Sequence, residues 1–191
     1  MKNSAINPNP LLIVVTGLPG SGKSTYGRFL AKKFSFAYFD YDTVIHNFME
    51  PLFEKYYSNL SYKECSREWR DSCYGSLWDL SMENIKLGNS VIASAPLSLE
   101  KSNEHFFKQL KTTYHVEFNV LSVSFNVPKH ILKERISNRN EERDREKLDD
   151  WDNYYEGQNA AITWDADLNI ILNYGKKDTT DEIEQFIARH L

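Results

Sequence analysis

The chain has 191 residues, 41% of them apolar, with 23 Lys and Arg against 27 Asp and Glu for a net charge of −4. That length supports one domain, 1–191, burying roughly 70% of its unfolded surface, and the acidic balance, with basic residues gathered only near Arg135 to Arg145, excludes a broad nucleic-acid footprint. No apolar run reaches bilayer length, and the polar first ten residues, with Pro8 and Pro10, lack the apolar stretch of a signal peptide, so the protein reads as cytosolic, without a membrane partner.

The first element is an aliphatic run, Leu11 to Val15, read as a buried strand. It empties into Gly17-Leu18-Pro19-Gly20-Ser21-Gly22-Lys23-Ser24, a full match to G-x-x-x-x-G-K-[ST], followed by Thr25. Each residue type has a separate reason to be there. Glycines let backbone wrap phosphate oxygens, and the amides opening the next helix point donors at the anion. Lys23 supplies a mobile positive charge for the β- and γ-phosphates, and the Ser24 hydroxyl is placed to hold Mg²⁺. The whole stretch, Gly17 to Thr25, is therefore assigned to binding a nucleoside triphosphate, and a chain this short has no room for the extra helical domain of an oligomeric motor ATPase. A monomer suffices for catalysis, and the sequence leaves the oligomeric state open.

Tyr26, Leu30 and Phe34 recur four apart, the stripe of an amphipathic helix over 22–34 with Arg28, Lys32 and Lys33 on the other side. An aromatic run over 36–39 reads as a second strand that delivers Asp40 and Asp42 toward the phosphate loop, with a helix over 43–53 after it. From Asn59 to Gly88 a long helical pattern opens on a capping-box spacing, Ser61 to Glu64. Its apolar face holds Cys65, Trp69, Cys73, Leu77, Leu80 and Ile85, and Gly75 is the expected point of bending. Cys65 and Cys73 read there as half-buried fillers and not as a disulfide or metal pair.

A third strand over 90–95 turns at Pro96, and a helix over 100–113 leads to a fourth strand over 116–125. Pro128 opens a helix through Ile131, Leu132 and Ile136. The almost wholly charged stretch 138–150 reads as a solvated loop or lid. A short helix over 151–163, a fifth strand over 168–172 and a closing helix over 179–191 complete the chain. Strands that alternate with helices and are mostly unbroken apolar runs imply a parallel sheet covered on both faces, with ligands beyond the carboxyl ends of its strands.

With a phosphate loop on the first strand, an Asp-x-Asp ending the second and an arginine-rich segment two-thirds along, the chain resembles the P-loop small-molecule kinases. Within them it is similar to the branch of chloramphenicol phosphotransferases, zeta-type toxins and the kinase half of polynucleotide kinases. The resemblance implies a three-layer α/β fold with a five-stranded parallel sheet, a helical acceptor-binding insertion at about 54–89 and an arginine-rich lid at about 138–150. It implies ATP and Mg²⁺ as cofactors and a small hydroxyl-bearing molecule as acceptor. Asp42 takes the position of the residue that accepts the acceptor's proton, with helix capping as its other reading. Asp40 sits where it can hold a metal-bound water or bond to the loop.

Arg139 and Arg143 reproduce the R-x-x-x-R spacing of the branch's lid, on one face with Arg135 if the helix continues. In that role they grip phosphates and spread transition-state charge, or Arg139 stacks on adenine; Arg145 is a weaker candidate. The other reading pairs these arginines with Glu141, Glu142, Asp144 and Glu146. The chain departs from pattern at the third strand, where Ser94-Ala95-Pro96 offers no Walker-B acid, and at Ile45, where nucleic-acid-end kinases carry a phosphate-gripping arginine. His46 reads as facing the acceptor or as a surface residue. In the insertion, Arg67, Trp69, Arg70, Tyr74 and Trp78 offer charge and stacking surface or core packing, with Arg70 taken as the substrate residue. Tyr154, just past the lid, either closes over the acceptor or sits on a docking helix. Asn173 to Lys176 takes the place of a loop near the adenine edge. A regulatory ATPase acting through a protein partner and a nucleic-acid-end kinase are the competing functions; no Asn-Lys-x-Asp guanine motif is present.

Overall fold

The computed structural model describes residues 9–57, 59, 61–141, 144–158, 161–176 and 180–191. β1 (Leu11–Thr16) is buried along its whole length, as its unbroken aliphatic run requires. After the loop come α1 (Lys23–Phe34), β2 (Ala37–Asp40), α2 (Tyr41–Tyr56), α3 (Tyr62–Glu68), α4 (Arg70–Lys86) and β3 (Val91–Ala95). The chain continues through α5 (Phe106–Tyr114), β4 (Asn119–Asn126), α6 (Lys129–Arg139), α7 (Arg145–Asp149), α8 (Trp151–Gly157), β5 (Leu168–Asn173) and α9 (Thr180–Arg189). The five strands form one parallel sheet in the order β2-β3-β1-β4-β5, with β1 in the middle. The expected α/β, three-layer architecture is what the chain adopts.

Alternation along β1 feeds two cores. Leu12 and Val14 face α4 and α5 through Leu77, Trp78, Met82, Phe107 and Leu110, with Trp164 closing that layer. Leu11, Ile13 and Val15 face α1 and α9 through Leu30, Ile183 and Ile187. At roughly 25 cal/mol per Å² of apolar surface, this double coverage is the main force holding the sheet. Among the described residues no helix is long and apolar enough to cross a membrane.

Three expectations need correction. The pattern over 59–88 is two helices, broken at Trp69 (φ −93°, ψ 5°), which ends α3 and opens α4; Gly75 lies inside an uninterrupted α4. The break lets Cys65 and Cys73, both free and fully buried, enter one cluster with Ile45 and Met49. The expected capping box does form, with the Glu64 amide donating to Ser61 Oγ at 3.2 Å and the Ser61 amide to Glu64 Oε2 at 2.9 Å. The helix expected over 100–113 is a single 3₁₀ turn, Glu100–Ser102, and then α5, because the carboxylate of distant Asp165 caps α5 by accepting from the amides of Phe107 and Lys108, each at 2.9 Å. The helix expected over 151–163 ends at Gly157.

Candidate active site

The turn from β1 into α1 is built on left-handed backbone at Gly20 (φ 79°) and Gly22 (φ 98°), a conformation that costs side-chain-bearing residues roughly 1–2 kcal/mol. Gly22 also caps α1 and has no side chain to accept from its first-turn amides. Gly20, Gly22, Lys23, Ser24 and Thr25 line a cleft of about 1270 Å³. Gly17, Leu18, Pro19 and Ser21 are not among the residues that line it: the Ser21 amide donates to Leu18 O at 3.1 Å, and Leu18 packs on the cluster around Trp151.

β2 ends at the opposite side of β3, and there Asp40 takes the N-cap position of α2, without a side-chain bond to the helix amides. Asp42 is therefore a first-turn residue of α2. Asp40 and Asp42 both line the cleft. Asp40 is buried, and its Oδ2 accepts from Ser24 Oγ at 2.7 Å and from the Tyr38 hydroxyl at 3.0 Å. Burial, more than the neighbouring charges, pushes the Tyr38 hydroxyl up to about 12, so it stays a donor at neutral pH.

The third wall is α6, α7 and the segment between them, contributing Arg135, Arg139, Glu141, Arg145 and Glu146. Arg135 donates to Gly20 O at 3.0 Å and lies 5.3 Å over the Tyr174 ring, which places the segment after β5 beside the loop. The helix does not continue to residue 143: α6 ends at Arg139, with Asn140 left-handed at φ 49°. Arg143 lies outside the described residues. Arg139 reaches the cleft and also bonds, through Nε and Nη2, to Asp144, so the pairing with a lid acid holds for that residue. Asp144 is fully buried and takes Lys147 Nζ on its other oxygen at 2.7 Å.

Burial works against the Asp144 charge, but its bonds to Arg139 and Lys147 outweigh that and hold the carboxyl below the ordinary aspartate range. Its contribution to stability is therefore complete above the ordinary aspartate pKa and is lost as pH falls through the lowered one. Asp144→Ala is expected to lower stability by about 2 kcal/mol at neutral pH, a difference that urea melts should show shrinking as pH drops below about 4.

Two expected acceptor residues are not brought to the cleft wall. Arg70 donates to both carboxylate oxygens of Glu100 at 2.7 Å and lies 4.3 Å over the Tyr74 ring, which itself stacks on Tyr41 at 4.5 Å. Burial opposes its charge, but Glu100 prevails and raises the Arg70 pKa. Tyr154 packs against Trp151 in the cluster beneath α6, where burial raises its pKa; α8 is a docking helix. Residues that the sequence did not single out instead complete the cleft: Arg28, Thr43, Asn47, Glu50, Phe53, Glu54 and Tyr62. For Arg28 the signal was its spacing of one turn from Ser24 on α1; for the α2 residues it was the i, i+4 stripe Asp42, His46, Glu50, Glu54.

Magnesium fits this donor set. Among the described residues no group of three or more His, Cys, Asp or Glu side chains is placed to hold a metal. An ion here would rest on Ser24 Oγ, Asp40 and the oxygens of the nucleotide, the sparing protein ligation Mg²⁺ accepts.

Sheet order, loop and lid together define a P-loop kinase fold. A family model described as an AAA domain matches residues 12–157, and the chain belongs to that family. Among solved structures it is similar to a Chloroflexus aurantiacus protein provisionally described as a kinase (20% identity, 96% of this chain and 99% of that one, TM-score 0.65). It is also similar to a shikimate kinase of Aquifex aeolicus (21%, 93% and 94%, TM-score 0.56) and a sugar kinase of Janibacter sp. (18%, 95% and 92%, TM-score 0.55). At these identities the likeness is one of fold. No curated protein matches the sequence at a significant level.

Proposed function

We propose that the protein is an ATP-dependent phosphotransferase that moves the γ-phosphoryl group to a hydroxyl of a small molecule, acting in the cytoplasm. The observation that carries this reading is that Lys23, Ser24, Thr25 and Asp42 all line one cleft. Asp42 accepts the acceptor's proton as its oxygen bonds to the γ-phosphorus; the bond to the bridging oxygen breaks and ADP leaves. Lys23 and Arg139 spread the charge that builds on the transferring group. Magnesium, when bound, would supply further charge neutralisation. Ser24 and Asp40 would hold it.

The cleft's charges are unevenly spread over its elements. Among the described residues its Lys and Arg come from α1, α6 and α7, accompanied by Glu141 and Glu146, whereas α2 contributes Asp42, Glu50 and Glu54 with His46 and neither Lys nor Arg. An acceptor carrying phosphate or carboxylate would meet repulsion there, and a nucleic-acid end more so. Ile45, nearly buried, adds no cation.

The test is release of ADP across a panel of hydroxylated metabolites graded by charge. Neutral or amino-bearing alcohols are expected to stimulate it, with kcat/KM on the order of tenfold or more above matched hydroxy acids. Turnover blind to every acceptor but responsive to a protein partner would replace this reading with that of a regulatory ATPase.

A further inference from the structure

Asp40 is held unevenly. Both of its protein donors, Ser24 Oγ at 2.7 Å and Tyr38 Oη at 3.0 Å, bond to Oδ2; among the described residues Oδ1 receives none. The Tyr38 hydroxyl also lies 3.3 Å from the Ser24 carbonyl, so it touches both halves of the Ser24–Asp40 pair. Tyr38 and Asp40 are two residues apart on β2 and therefore share a face of the sheet, the one covered by α1.

The ring reaches this spot through a notch in α1. Residue 27 has no Cβ; one built there would fall 2.7 Å from Tyr38 Cε2 and 3.5 Å from Cζ, inside contact distance. A glycine in the middle of a helix costs roughly 0.5–1 kcal/mol relative to Ala. Gly27 is buried in α1, so here the notch and the ring that fills it belong together.

We propose that Tyr38 is a positioning residue for the magnesium ion of the nucleotide complex. By sharing Oδ2 with Ser24 it fixes the carboxylate's rotation and leaves Oδ1 as the oxygen that receives a water on the ion. It also leaves the lone pairs of Ser24 Oγ, whose hydrogen is committed to Asp40, for the ion itself. The inference rests on the phosphotransferase reading to the extent that a metal–nucleotide complex must bind.

Tyr38→Phe keeps the ring and removes only the hydroxyl. With ADP as probe, nucleotide affinity in EDTA is expected to stay within about twofold of wild type. The affinity of Mn²⁺ for the protein–ADP complex, read from the Mn²⁺ paramagnetic resonance signal, is expected to fall about tenfold, the worth of one hydrogen bond to a charged group. Gly27→Ala, which pushes the ring off its notch, should reproduce the Mn²⁺ loss; if that variant misfolds, Tyr38→Phe decides alone. Unchanged Mn²⁺ affinity in Tyr38→Phe would overturn the proposal, and so would an equal loss of ADP binding with and without metal, which marks a role in shaping the loop only. Wild-type protein that binds ADP in neither medium would overturn the phosphotransferase reading as well.

Discussion

Replacing Asp42 with Asn is expected to lower acceptor-dependent turnover by roughly 10² or more while leaving the affinity for magnesium nucleotide nearly unchanged, the signature of a lost positioned base. The substitution is nearly isosteric, and the residue sits at the second position of α2, where it is not the helix cap. The helix start is also well held: Tyr41, one residue earlier, stacks on Tyr74, which is buried and bonded to the backbone of Leu97 at 3.2 Å. Little should move when the charge is removed. Turnover equal to wild type would assign proton acceptance to another group or to water.

Lys23→Ala should do something different: weaken nucleotide binding and lower turnover together, the rate by on the order of 10² to 10³, as for the loss of one preorganised charge at a transferring group. Lys23 is the first residue of α1, where alanine is an excellent helix former, so the fold should melt at nearly the wild-type temperature. Calorimetric titration with nucleotide, paired with steady-state rates, separates the two variants. Normal ATP-dependent activity in the Lys23 variant would remove the phosphate loop from the mechanism altogether.

What the sequence made legible was what is encoded locally. An aliphatic run, a glycine-rich turn and an amphipathic stripe lie within 25 consecutive residues, Leu11 to Ser35, and each dictates its own backbone. The capping box at Ser61 is equally local and formed as expected. The misses came from contacts between distant residues. Nothing near Phe106 announces that Asp165 will cap its helix, and nothing near Arg70 announces Glu100.

The cleft follows the same division. The phosphate loop was readable because its chemistry needs fixed residue types at fixed spacing. The support of Asp40 was not, because Tyr38 and Gly27 are eleven residues apart and meet only when α1 folds back onto β2. Arg139 was singled out by its spacing from Arg143, but the end of α6 at Asn140 and the bond of Arg139 to Asp144 have no periodic signal.

The sheet order has a consequence of its own. β3 lies between β1 and β2, so the strands that lead into the glycine-rich turn and into Asp40 lie two strand spacings apart, about 10 Å. The strand between them ends in the small and fully buried Ser94 and Ala95. The Ser24–Asp40 bond of 2.7 Å spans that distance and ties the turn to the start of α2. On the proposed function, Glu50 and Glu54 of α2, which line the cleft, are the positions to exchange in order to retune which alcohol is admitted.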